Sequence, residues 1–198
     1  MERVLLLFAH PVFERSRVNR SLLEAARGVS GVDIHDLYEL YPEFDVDVRA
    51  EQEALLAHDV VVFQHPFYWY SAPALVKQWL DLVLEHGWAY GHGGDALHGK
   101  RLAQALTTGG RDDAYGPGGY NRYSMEEFLR PFEQTARLCG MTYEPPFVVH
   151  GTHRIGEAGL IEAAGRYVAY LTALRDGRAA RSDGPDAGAS APAPDARG

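Results

Sequence analysis

A single cysteine, Cys139, occurs in the 198 residues of this chain, so no internal disulfide can form and nothing points to an oxidising compartment. A lone thiol packs as a small apolar side chain more readily than it serves as a nucleophile. Long apolar runs are also missing. The opening Val4-Leu5-Leu6-Leu7-Phe8-Ala9 is too short for a signal segment or a bilayer span, and it runs directly into His10-Pro11. The expected setting is cytoplasmic, with at most peripheral membrane association through a partner. Excess positive charge is absent as well: the formal net charge is -8, which excludes the basic face of a nucleic-acid binder. A phosphate-bearing ligand on such a chain needs a locally prepared pocket of backbone N–H groups and cations. Several signatures are lacking. Without GxGxxG or GxxxxGK[ST], a Rossmann dinucleotide turn and a P-loop are unsupported; without GxSxG, a serine hydrolase has no nucleophile. His86, His92 and His98 share a loop but have no cysteine pairs or HExxH spacing beside them, so no metal site is expected.

What the chain does contain is alternation. Hydrophobic residues make up 46% and charged ones 23%, an ordinary soluble balance that suits one domain. Short, largely apolar runs at Arg3–Ala9, Val32–Leu37, Val60–Gln64, Arg101–Thr107 and Tyr143–His150 read as strands, the β-branched Val60–Val62 most clearly. Helical spacing covers Arg17–Gly28, Glu51–Ala57, Ala74–Glu85, Met125–Leu138 and Glu157–Leu174, while Tyr38–Asp47 reads as irregular. Strands alternating with helices imply an α/β fold, here a flavodoxin-like, doubly wound, five-stranded parallel sheet of order 2-1-3-4-5. The expected domain is residues 1–177. Residues 178–198, rich in Ala, Pro, Gly and Asp without a large apolar side chain, are expected to be a disordered tail.

Three strand ends carry the candidate chemistry. After the first strand, His10 leads into Ser16, Arg17, Val18 and Asn19 at the start of a helix, where free N–H groups and the helix dipole favour an anion. Simple capping by Ser16 is the plainer alternative. After the third strand come Phe67, Tyr68, Trp69 and Tyr70, placed where open α/β sheets bind ligands; core packing competes with the binding of a flat, conjugated group such as a flavin. After the fourth strand, Thr107, Thr108, Gly109 and Gly110 combine hydroxyl donors with a backbone a ligand can approach closely, or form an ordinary tight turn.

Taken in order, HPVFERSRVN, AEQEALLAHDVVVFQHPFYWYSAPALVKQWLD, GWAYGHGGDALHGK and TTGG resemble the NAD(P)H:quinone oxidoreductase family of flavodoxin-like flavoproteins. The closer similarity is to the ancillary quinone-reductase subunits of glutathione-regulated potassium efflux systems. The resemblance implies a two-electron reductase acting by ping-pong exchange between NAD(P)H and a quinone. It implies FMN in compact members and FAD in larger ones, a homodimer, and a potassium efflux transporter as partner. His10 and Ser16–Asn19 would hold the flavin phosphate, Phe67–Tyr70 would line the ring, and Thr107–Gly110 would bond its polar edge. Trp88 and Tyr90 would help wall the substrate site. Tyr115 matches a tyrosine that stabilises charge during hydride transfer, whereas Asn121 stands where the family has a histidine, and an amide cannot relay a proton at neutral pH. The rival readings are a chiefly regulatory subunit and a one-electron carrier of the flavodoxin type.

Overall fold

The computed structural model describes residues 1–178; the tail expected over 178–198 therefore lies, from residue 179 on, outside the described residues. In chain order the elements are β1 (Val4–Phe8), α1 (Arg17–Arg27), β2 (Val32–Asp36), α2 (Leu37–Leu40), α3 (Val48–Ala57), β3 (Val60–Pro66), α4 (Ala74–Val83), β4 (Arg101–Thr107), α5 (Met125–Leu138), β5 (Thr142–Tyr143), β6 (Phe147–Val149) and α6 (Glu157–Arg175). All strands pair in parallel, in the order β2-β1-β3-β4-β5, with β6 also on β4. This is the expected doubly wound sheet.

Every residue of β1 and β3 is buried, as a parallel strand covered on both faces requires. Alternation sorts their side chains into two cores. Val4, Leu6, Phe8, Val60 and Val62 pack with Val18, Leu22 and Ala26 of α1 and Tyr167 and Leu171 of α6. Leu5, Leu7, Val61 and Phe63 pack on the other face with Leu55, Leu75, Trp79 and Phe132, from α3, α4 and α5. Cys139 is buried in this second core, where desolvation pushes its thiol up, away from nucleophilic use.

The last strand differs from the single run expected over Tyr143–His150. β5 ends at Tyr143, opposite Leu102, and β6 begins at Phe147, opposite Ala105. Three residues, Glu144, Pro145 and Pro146, thus face only Ala103 and Gln104 of β4, and the prolines have no N–H for the ladder. A second difference is α2, which occupies the start of the segment read as irregular. Asp36 nucleates it: its side chain accepts from the N–H groups of Tyr38 and Glu39.

Candidate functional site

The start of α1 is chemically unusual. Its N-cap, Ser16, accepts from the Asn19 N–H at 3.2 Å, but the first turn holds no acidic residue and opens instead with Arg17. Helix N-termini ordinarily favour carboxylates, so an arginine there leaves positive potential uncompensated. Among the described residues, neither Arg15 nor Arg17 has an ion-pair partner. The plainer reading, capping by Ser16, is correct as far as it goes and leaves both arginines unexplained.

Asn19 ties this helix end to another strand. It is buried, and its Nδ2 donates to Thr107 Oγ1 at 2.8 Å and to Ser16 Oγ at 3.1 Å. Its Oδ1 is buried without a partner. Between the two strand ends lies a cavity of about 500 Å³. The first loop contributes His10, Ser16, Arg17, Val18 and Asn19 to it; β3 and its following loop contribute Phe67 and Tyr68; β4 contributes Thr107 and Gly109. No carboxylate lines it, on a chain of net charge -8.

His10 enters this cavity neutral. Burial pulls its pKa down, and its Nδ1 accepts the Val12 N–H at 3.1 Å, which leaves the proton on Nε2. It therefore offers a hydrogen-bond donor; the positive charge it could have brought is not favoured there. The formal cations at the cavity are Arg15 and Arg17.

The loop after β3 is a tight two-residue turn. Tyr68 and Ser71 exchange backbone hydrogen bonds of 3.2 and 2.9 Å, and the central residues Trp69 and Tyr70 both have positive φ, 50° and 63°. Positive φ at both centres is the hairpin pattern that normally takes Asn-Gly, so two bulky aromatics are held here under strain. Tyr68 packs edge-on to His10 at 6.2 Å. Tyr70 stacks on Phe128 of α5 at 5.2 Å. Trp69 is 94% exposed and touches none of them.

Thr108 and Gly110 sit beside the cavity without lining it. The Thr108 hydroxyl accepts the Gly110 N–H at 3.2 Å and is hydrogen-bonded to the Tyr115 hydroxyl. Tyr115 itself is half-buried against Phe67 and Phe128, at 6.1 and 6.3 Å between ring centroids. Asn121 is away from the cavity, its N–H donating to Ala114 O at 2.8 Å. Trp88 and Tyr90, in the loop beyond α4, pack against the core built by α3, α4 and α5 and do not line this cavity.

The lining residues that follow β6 escaped the sequence reading. Thr152 and His153 follow β6, which the parallel pairing with β4 brings alongside Thr107–Gly110: Thr152 N–H donates to Thr108 O at 3.1 Å and Gly151 N–H to Gly110 O at 2.8 Å. His153 lies so close over Gly109 that a Cβ there would come within 2.6 Å of its Nε2. No local motif marks these residues; only the topology places them.

A flavodoxin-like sheet with an anion-ready helix end and aromatics at the carboxyl edge of the strands defines a class of protein, and residues 2–171 match the sequence profile of the family described as having the flavodoxin-like fold. The chain belongs to that family. Among curated relatives it is 48% identical, over 85% of its length and 92% of the relative's, to the glutathione-regulated potassium-efflux system ancillary protein KefG of Pectobacterium carotovorum. Among solved structures it resembles general stress protein 14 of Treponema denticola in complex with FMN, with a TM-score of 0.82 and 41% identity, covering 87% of this chain and 99% of that one. It also resembles an NADPH-quinone reductase from P. pentosaceus, with a TM-score of 0.78 and 34% identity over 85% and 96% of the two chains.

Proposed function

We propose that the protein is an FMN-dependent NAD(P)H oxidoreductase that reduces quinones or similar acceptors by two electrons. The observation that carries this reading is the carboxylate-free cavity in which an arginine-flanked helix end faces an aromatic strand end. The donor set fits a flavin mononucleotide: N–H groups of the first turn, the Arg15 and Arg17 guanidiniums, and the His10 Nε2–H suit a phosphate dianion. The buried, unpartnered end of the Asn19 amide adds to this: with the amide reversed, the hydroxyls of Thr107 and Ser16 donate to its oxygen and its NH₂ is free for the ligand. FMN, when bound, supplies the chemistry of accepting hydride from a nicotinamide and returning two electrons to the second substrate.

The chain's own residues orient and polarise. Phe67 and Tyr68 would wall the ring, and the strained turn holds Trp69 out in solvent, where a partner or substrate ring can cover it. Thr108 accepts from Gly110 and shares a hydrogen bond with Tyr115, so the pair keeps one hydroxyl proton to offer beside the cavity. Tyr115 and Thr108 thus form a hydroxyl pair that would supply a donor toward negative charge on the reduced ring. One cavity serving both substrates in turn would give ping-pong exchange. In the homodimer that the resemblance implies, Trp88 and Tyr90, which do not line this cavity, would serve the substrate site of a second copy of the chain.

Anaerobic addition of NADH or NADPH to the FMN-loaded protein is expected to bleach the flavin, and a benzoquinone to restore its colour. A flavin that neither nicotinamide bleaches contradicts the reading. A second role, as regulatory partner of a potassium efflux transporter, is favoured by the 48% identity to KefG. Its check is retention of such a transporter's cytoplasmic domain on the immobilised protein, with no retention contradicting it.

A further inference from the structure

One buried polar atom near the proposed flavin site lacks a partner and is used by nothing described so far. His150 follows β6, and its side chain is only 20% exposed. Its Nε2 lies 3.3 Å from Asp112 Oδ1, whereas its Nδ1 is buried with no hydrogen-bond partner. Buried polar atoms are rarely left so. The imidazole stands 5.4 Å from the Tyr115 ring, between the segment after β6 and the loop after β4. The Gly110 carbonyl, which already accepts the Gly151 N–H at 2.8 Å and has a second lone pair to offer, favours the charged form of this imidazole.

The two protonation states differ in one bond. Neutral His150 with its proton on Nε2 satisfies Asp112 and leaves a lone pair on Nδ1 stranded. A proton taken from solvent onto Nδ1 creates a donor for the Gly110 carbonyl while Asp112 offsets the new charge. That bond would add a side-chain tie to the backbone hydrogen bonds that Gly151 and Thr152 already make to Gly110 and Thr108, and so tighten the loop in which the Thr108 hydroxyl meets Gly110 N–H and Tyr115.

We propose that His150 is a titratable positioning residue: its protonation clamps the Thr108–Gly110 loop in the shape that receives the flavin, so that flavin binding and proton uptake at His150 are linked. This rests on the FMN reading above. Without ligand, burial outweighs the Asp112 charge and the Gly110 carbonyl and holds His150 below its ordinary pKa, so the clamp is open near neutral pH. The other groups nearby do not supply the change. Arg111, whose Cγ comes within 3.9 Å of a Cβ built on Gly151, is paired with Asp113 at 3.0 Å, and Tyr115 is engaged with Thr108. His153, on the same segment, is exposed over Gly109. The flavin's polar edge, which the reading above seats at Thr107–Gly110, binds the clamped loop better than the unclamped one, and linkage makes flavin binding and proton uptake reciprocal.

The test is site-resolved. The pH titration of the His150 ring is followed by NMR in flavin-free and FMN-loaded protein, with the resonance assigned by its loss in His150→Gln. Loading is expected to raise the His150 pKa by about one unit, a tenfold change in proton affinity. Asp112→Asn, at an exposed carboxylate that leaves the core intact, is expected to lower the pKa in both states. A His150 titration unmoved by bound FMN, or unmoved by Asp112→Asn, overturns the proposal while the functional reading stands. A protein that binds no FMN overturns both.

Discussion

Arg17, Asn19 and Trp69 each sit where stability alone would choose another residue. An acidic side chain would suit the first turn of α1, a fully partnered group would suit the buried site of Asn19, and Asn would suit the positive φ of Trp69. Residues that work against the fold in this way concentrate where ligands bind. Two outcomes follow at this scale. Asn19→Ala removes a buried hydrogen bond to Thr107 and is expected to cost about 1–3 kcal/mol in a denaturant titration while weakening FMN binding by fluorescence. Trp69→Asn behaves oppositely on the two counts. Because Trp69 is 94% exposed, the change loses little packing and relieves the strained φ, so the melting temperature is expected to rise while turnover with NAD(P)H falls. A drop in both, or a rise in both, would show that the strain has no functional return.

Among the elements, α3 is fixed to the sheet by a buried carboxylate. Glu51 is wholly buried, receiving Tyr41 Oη at 2.7 Å, Trp79 Nε1 at 2.9 Å and His35 Nδ1 at 3.1 Å. Burial alone would raise Glu51, but these hydrogen bonds outweigh it and hold its pKa below the ordinary value. His35 is raised, chiefly by its hydrogen bond to Glu51. The signs then set the window. The His35 contribution is complete below its ordinary 6.5 and is lost as pH rises through the elevated value. The Glu51 contribution is complete above its ordinary 4.5 and is lost as pH falls through the lowered one. His35→Gln is therefore expected to lower the melting temperature most between pH 4.5 and 6.5, with the gap to wild type closing at alkaline pH. A gap independent of pH would mean that the pair acts only by packing.

Legibility followed the physics of each element. β1 and β3 were readable because strands buried on both faces are continuously apolar, and α5 because its buried Met125, Leu129, Phe132 and Ala136 fall at helical spacing. The break in the last strand was not read, although Pro145-Pro146 signalled it, because Tyr143 and Phe147–Val149 look like one β-branched run. Glu51 went unnoticed since a glutamate in a helical pattern reads as a solvent-facing position. Of the cavity, His10, Ser16–Asn19, Phe67, Tyr68, Thr107 and Gly109 were legible as strand-end residues. Thr152 and His153 were not, because their place depends on β6 lying beside β4.

For the whole molecule, the parallel order β2-β1-β3-β4-β5 puts the ends of β1, β3 and β4 on one edge, and the sequence places a different resource at each: cations and N–H groups, aromatics, then hydroxyls and glycines. A net charge of -8 repels anions in general, so the cleft's affinity for a phosphate must come from its own local donors. That makes the phosphate the discriminating part of the ligand. The most direct measurement is a fluorescence-quenching titration of the flavin-free protein with FMN and with riboflavin, repeated on the Arg15→Ala/Arg17→Ala double variant. The account predicts saturable one-to-one binding of FMN, at least about tenfold tighter than riboflavin, with the preference for FMN lost in the double variant. Equal affinity for the two flavins, or no binding of either, would contradict it.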